Sequence, residues 1–287
     1  MSNPILSAMN KLSLLLIKFF LPLSFLTPRG DDYTLVWSDE FNTGTAPDTT
    51  NWTHEQGFVR NHEFQWYQPG NASCAGGILT IEARREHKAN PYYQAGSNDW
   101  KKKNAYIEYT SSSISTEGKK SWMYGRFELR ARIDTSMGLW PAWWTLGLER
   151  TWPSNGEIDM MEYYRQNLLA NIAKGTATPY KAHWFSNKKP ISSFADHADW
   201  ASKFHVWRMD WTEQEISLWV NGELLNKQAM TDLYDLDSTH FHPFRQPHYM
   251  LLNMAVGGDN GGDPNASPSP FPKKYEIDWV RVYKSEP

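Results

Sequence analysis

Short runs of alternating apolar and polar residues recur from Leu35 to Tyr283, separated by turn-forming residues. Runs at Leu35–Trp37, Ile78–Ala83, Gly125–Ile133, Trp140–Leu146, Glu157–Tyr163, His205–Trp211, Ile216–Val220, His248–Val256 and Glu276–Tyr283 have the length and spacing of strands. In the Gly125–Ile133 run, Phe127, Leu129, Ala131 and Ile133 fall on one face. Arg126, Glu128, Arg130 and Arg132 fall on the other, because successive strand side chains point to opposite sides. Asn221-Gly222 between two such runs predicts a two-residue type I′ hairpin. Residues 199–204 have room for a short helical turn, and the Gly- and Pro-rich stretch 257–272 is expected to be irregular. No window sustains a helical period over three turns. The pattern predicts an all-β fold of two packed antiparallel sheets, curved so that one concave face forms an open cleft.

The N-terminus breaks this pattern. Lys11 precedes a mostly apolar run, Leu12–Leu26, interrupted by Lys18 and Pro22. It is too short and broken for a spanning helix, and residues 1–30 read as a signal peptide. A secreted or periplasmic protein is the expectation, with residues 31–287 as one domain. No later run is apolar enough to span a bilayer.

Composition changes the picture in one respect. Fifteen Trp, fourteen Tyr and thirteen Phe make 15% of the chain aromatic. Part of that number fills a core, and the surplus suits a carbohydrate cleft, where a ring covers the C–H face of a sugar. The net charge of -3 carries no basic excess for nucleic acid or an anionic membrane. Cys74 is the lone cysteine, which excludes an intramolecular disulfide and a cysteine metal cluster. A polysaccharide is the expected partner and a monomer the expected state.

The candidate chemistry lies in Gly156-Glu157-Ile158-Asp159-Met160-Met161-Glu162-Tyr163. In a strand, Glu157 and Asp159 share a face, and strict alternation sends Glu162 to the other. One extra residue at Met160-Met161, a β-bulge, returns Glu162 to the acidic face. Neighbouring carboxylates resist ionising together, so their pKa values separate. Retaining glycoside hydrolysis needs that: one carboxylate attacks the anomeric carbon while the other carboxyl protonates the leaving oxygen and later activates water. A solvated acidic strand face is the plainer alternative.

GEIDMMEYY resembles the bulged E-x-D-x-x-E signature of glycoside hydrolase family 16. The flanking WPAWWTLG and WPSNGEID resemble its laminarinases, agarases and porphyranases. LVWSDEFN, NHEFQWY, YGRFELRARID, FHVWRMDWT, LLNMAVGG and IDWVRVY follow in the family's order, from Leu35 to Tyr283. The resemblance implies a jelly-roll sandwich with Glu157 as nucleophile, Glu162 as acid/base and Asp159 as the helper between them. No cofactor is implied for the chemistry. The family often carries a structural calcium, for which Glu40 and Asp278 stand in the matching segments; ordinary strand-end hydrogen bonds are the alternative.

For the cleft walls, alternation places Trp140, Ala142 and Trp144 on one face and Trp143 on the other. Trp140 and Trp144 are the expected sugar platforms, with Trp152 at the rim. Asn61, Glu63 and Trp66 resemble the family's N-x-E-x-Q-x-Y segment, whose polar groups meet sugar hydroxyls. His183 and Trp184 are expected in a loop reaching the site. Laminarinase-like members often continue with G-T-x-H, whereas Gly175-Thr176-Ala177-Thr178 ends in Thr. That departure leaves the chemistry alone and bears on the substrate; the resemblance as a whole implies endo-hydrolysis of β-1,3- or β-1,3-1,4-glucan. A β-galactan hydrolase of agarase, porphyranase or poly-lactosamine type and a transglycosylase are the alternatives. A sulfated substrate would favour a basic cleft lined by Arg60, Arg150 and Arg165.

Overall fold

The computed structural model describes residues 33–266 and 270–285, and the signal-peptide expectation for residues 1–30 lies outside them. The described strands form two sheets. A seven-stranded sheet runs, in spatial order, through Ala182–Pro190, Asn167–Gly175, Glu157–Tyr164, Leu139–Gly147, His248–Val256, Ser113–Ser115 and Thr53–His54. A ten-stranded sheet runs through Glu223–Ala229, Glu215–Val220, His205–Trp211, Gly125–Ile133, Lys273–Ser285, Ile78–Ala89, Tyr106–Ser111 and Gln65–Tyr67. Tyr33–Asp39 joins it against Lys273–Ser285, and Ala72–Ala75 against Ile78–Ala89. Pairing is antiparallel apart from Gln65–Tyr67, which lies parallel to Tyr106–Ser111.

The core lies between the sheets. Phe127, Leu129, Trp207, Met209, Ile277 and Val280 enter it from the larger sheet, and Trp143, Ile158, Met160, Met161, Leu252 and Met254 from the smaller. Each fully buried side chain of this kind stabilises the fold by about 1.5–3 kcal/mol relative to exposure. The Gly125–Ile133 strand alternates buried and half-buried positions throughout, as its sequence predicts. Asn221 and Gly222 both take positive φ, as the hairpin requires. A short 3-10 turn covers Trp200–Ser202, and residues 257–266 hold only a four-residue helix and a 3-10 turn.

The seven-stranded sheet has two different faces. Its inner face is apolar, while its outer face carries polar and aromatic side chains from five adjacent strands. Those side chains line the cleft.

Glu40 and Asp278, the residues expected to face a structural calcium, make ion pairs. Arg281 holds both oxygens of Glu40 at 2.8 and 2.9 Å, and Arg130 pairs with Asp278. Each carboxylate is already neutralised by a guanidinium from a strand of the larger sheet, and no group of three or more His, Cys, Asp or Glu that could hold a cation occurs among the described residues.

Candidate active site

The cleft has a volume of about 610 Å³ and lies over the Glu157–Tyr164 strand. Gly156 feeds the chain into this strand at φ 77°, and a Cβ there would meet the Pro243 side chain at 2.8 Å. The register shifts between Asp159 and Met161 on one side and between Asp159 and Glu162 on the other, which is the signature of a bulge. Met160 and Met161 are both fully buried in the core, and Glu157, Asp159 and Glu162 all line the cleft. The bulge thus seats two methionines inward and brings three carboxyls to one face.

Each terminal carboxyl has its own indole donor. Trp152 Nε1 donates to Glu157 Oε2 at 2.5 Å, and Trp140 Nε1 donates to Glu162 Oε1 at 2.7 Å. Asn171, from the neighbouring strand, donates to Glu162 Oε2 at 2.6 Å. Asp159 sits between, hydrogen-bonded to both glutamates. Burial is the first cause that raises all three pKa values; like-charge repulsion adds to it at Glu157 and Asp159, while at Glu162 the hydrogen bonds from Trp140, Asp159 and Asn171 oppose it. Glu157 is pushed from an ordinary 4.5 to about 7, and Asp159 lies well above its usual range. The sequence places repulsion first; the structure places desolvation first, because the row lies at the bottom of an aromatic-walled cleft. At Asp159 the charges and hydrogen bonds of both glutamates add to the rise.

This arrangement costs stability. A carboxyl whose folded value exceeds its unfolded value binds its proton more tightly when folded. Its favourable contribution is present at low pH and is lost as pH rises from the unfolded value through the raised one. For Glu157 that window runs from about 4.5 to about 7. Asp159→Asn removes the ionisable group at the centre of the row and keeps its shape. It is expected to raise the melting temperature by about 2–4 °C at pH 8, on the scale of 1 kcal/mol for a domain of this size, and to change it little at pH 4. Calorimetry at the two pH values checks this, and an equal change at both would contradict it.

The structure redistributes the expected wall residues. Trp140, Ala142 and Trp144 share the cleft face and Trp143 the core, as alternation predicts. Yet Trp140 and Trp144 are only 7% and 8% exposed. Trp140 presents its N–H to Glu162, and the Arg60 guanidinium lies 5.1 Å over the Trp144 ring. Both rings line the cleft with little of their surface open, and the guanidinium lies over Trp144 alone. The exposed indoles of the cleft are Trp152 and Trp184, at 39% and 42%. Trp184 belongs to a strand, Ala182–Pro190, where a loop was expected. Strand alternation puts Trp184, Ser186 and Lys188 on the cleft wall and turns His183 away, against Phe185. Trp66 is also outside the cleft. It is buried among Phe58, Tyr92 and Gly57 because its whole strand is covered.

Asn61 and Glu63 do line the cleft. Glu63 Oε1 accepts from Asn61 at 3.2 Å, and its Oε2 accepts from Gln65 at 2.7 Å and Tyr67 at 3.2 Å. Tyr67 Oη accepts from Asn253, whose Oδ1 accepts from Trp144. The chain of bonds fixes the N-x-E segment to the sheet. Burial raises the Glu63 pKa, with Arg60 opposing. Of the three candidate basic residues only Arg60 lines the cleft, and it is paired with Glu55. Arg150 pairs with Asp237, and Arg165 donates to the Asp259 carbonyl.

Sequence reasoning did not select Tyr164, Asn171, Ser186, Lys188, Asn253 and Asn260, which also line the cleft. Asn253 lies in the quoted LLNMAVGG run, and Tyr164 two residues beyond Glu162. Asn171, Ser186 and Lys188 come from strands with no chemical signature of their own, and only the sheet order brings them in.

The chain matches the family described as glycosyl hydrolases family 16 over residues 61–281. A beta-glucanase of Rhodothermus marinus is 37% identical, with 89% of this chain and 87% of that protein aligned. A keratan-sulfate endo-1,4-beta-galactosidase of Sphingobacterium multivorum is 29% identical over 91% of this chain and 58% of that protein. A solved structure from work on endo-acting O-glycanases of the human gut microbiota that initiate mucin breakdown superposes with a TM-score of 0.78. It is 32% identical, covering 89% of this chain and 92% of that one.

Proposed function

The chain belongs to glycosyl hydrolases family 16, and from that membership we propose that it is an exported, retaining endo-hydrolase of β-1,3- or β-1,3-1,4-glucan. The observation that carries the mechanism is the bulged carboxylate row with an indole donor at each end. Glu157 attacks the anomeric carbon, and Glu162 protonates the departing oxygen. Having given up that proton, Glu162 is a carboxylate, and it stays one more easily because Glu157, now a glycosyl ester, has lost its charge; Glu162 then takes a proton from the incoming water. Asp159 holds a proton between them and hydrogen-bonds whichever carboxylate is charged. Trp152 keeps the Glu157 carboxylate oriented and stabilises its anionic form, since a donor to the charged state favours it.

An open cleft with Trp152 and Trp184 on its rim suits an internal segment of a long chain. The beta-glucanase relative, aligned over most of its length, supports the glucan reading. Reading the substrate as a β-galactan of agar, porphyran or poly-lactosamine type has its own support. Thr178 stands where laminarinase-like members carry histidine. Thr176 Oγ1 closes that segment into a turn by donating to the Thr178 and Lys181 carbonyls, and none of these residues lines the cleft. The galactosidase and O-glycanase relatives point the same way. Transglycosylation uses the same glycosyl-enzyme and differs only in the acceptor.

A panel of laminarin, mixed-linkage glucan, agarose, porphyran and poly-N-acetyllactosamine, with product analysis, separates these substrates. Internal cleavage of laminarin or mixed-linkage glucan to oligosaccharides is the expected result. Cleavage confined to the galactans would replace the glucan reading and leave the mechanism in place.

A further inference from the structure

A second pocket, of about 280 Å³, adjoins the cleft, and Glu63 lines both. Phe58, Phe64, Trp100 and Tyr106 supply its aromatic surface, and Lys103 and Asn104 supply an ammonium and an amide. Phe64 and Tyr106 are 46% and 52% exposed, so large apolar side chains gather here on open surface.

Two features of the backbone build this pocket. Asn61 and His62 are consecutive residues at positive φ, 54° and 49°. That conformation is costly for side chains other than glycine and collects at binding sites. It sends Asn61 into the cleft and His62 into the second pocket, where its ring lies 5.3 Å from that of Trp100. The connection between Ile78–Ala89 and Tyr106–Ser111 is residues 90–105, far longer than an antiparallel hairpin needs. Its bonds are its own. Asn90 Nδ2 donates to the Lys101 and Asn104 carbonyls, and Lys102 and Lys103 donate from their backbone to the Asp99 carbonyl. A long loop closed on itself and outside the core presents Trp100, Lys103 and Asn104.

We propose that this pocket is an accessory subsite that takes one further pyranose of the substrate chain, beyond those lying over the carboxylates. Aromatic faces meet the sugar's C–H surface, and the amide and ammonium meet its hydroxyls. The volume suits one ring, and the consecutive residues Asn61 and His62, one lining the cleft and the other the pocket, place the two side by side. The proposal rests on reading the main cleft as a glycan site. It does not depend on which glycan.

The test uses oligosaccharides of two to eight units from whichever polysaccharide the wild type cleaves. In the wild type, kcat/KM should step up at the length that first reaches the pocket. In Trp100→Ala and, separately, in Lys103→Met, that step should shrink about three- to tenfold, the scale of one lost stacking or polar contact. Shorter substrates should be cleaved at wild-type rates. Lys103 is exposed, so its replacement leaves folding intact and keeps the test sound if Trp100→Ala disturbs the loop. Equal losses at every length, or no loss at any, would overturn the subsite. A wild type that cleaves only galactans would change the glucan reading and leave this test in force.

Discussion

Glu157→Ala is expected to abolish hydrolysis, with a loss on the order of 10⁵-fold, the scale seen when a covalent nucleophile is removed. Added azide should restore turnover and give a glycosyl azide of inverted configuration. The reasoning is geometric. Removing the side chain opens the face of the anomeric carbon that Glu157 occupied, and a small anion can enter there. Glu162 still protonates the leaving oxygen, because its two donors, Trp140 and Asn171, do not depend on Glu157. One displacement then replaces two, so the configuration inverts. Trp152 loses its acceptor at 2.5 Å and its indole becomes free to hydrogen-bond the azide. Retained product from the rescued variant would mean that the nucleophile is another residue.

The second large effect is at Glu162. Glu162→Ala is expected to lose about 10²–10⁴-fold on polysaccharide, the usual contribution of a positioned proton donor. It should lose far less in the first step on an aryl glycoside whose leaving group departs without a proton. The glycosyl-enzyme on Glu157 should then accumulate, since no base remains for water. Azide needs no base and should release it with retained configuration. A burst of aryl alcohol followed by slow turnover is the kinetic reading. An equal loss on activated and unactivated substrates would remove Glu162 from the acid/base role and leave it a structural carboxyl.

The parts of this site legible in the sequence were those governed by strand parity. Alternation located Glu157 with Asp159, separated Trp143 from Trp140 and Trp144, and made a bulge at Met160-Met161 the simplest way to return Glu162. The registers on both sides of the strand carry that bulge. Parity failed where the neighbouring element was unknown. Trp144 shares the cleft face, but whether its ring is free depends on Arg60, which arrives from a distant loop and covers it. His183 was misplaced because a polar stretch, AHWFSNKKP, does not look like a strand; it forms the edge of the sheet, where one face meets solvent. The ion pairs of Glu40 and Asp278 with arginines of the larger sheet are contacts between distant segments, and no local pattern announces them. The side pocket was invisible for the same reason: Phe58 and Trp100 meet only in the folded chain.

The central claim is a double displacement by carboxyls close enough to exclude a water between them, roughly 5–5.5 Å apart. Proton NMR of the wild-type reaction in its first minutes, before mutarotation, tests it most directly. The account predicts that the newly formed reducing end appears first as the β-anomer, with the α-anomer growing in later. An α-anomer formed first would mean inversion, and would contradict the assignment of Glu157, Asp159 and Glu162 together.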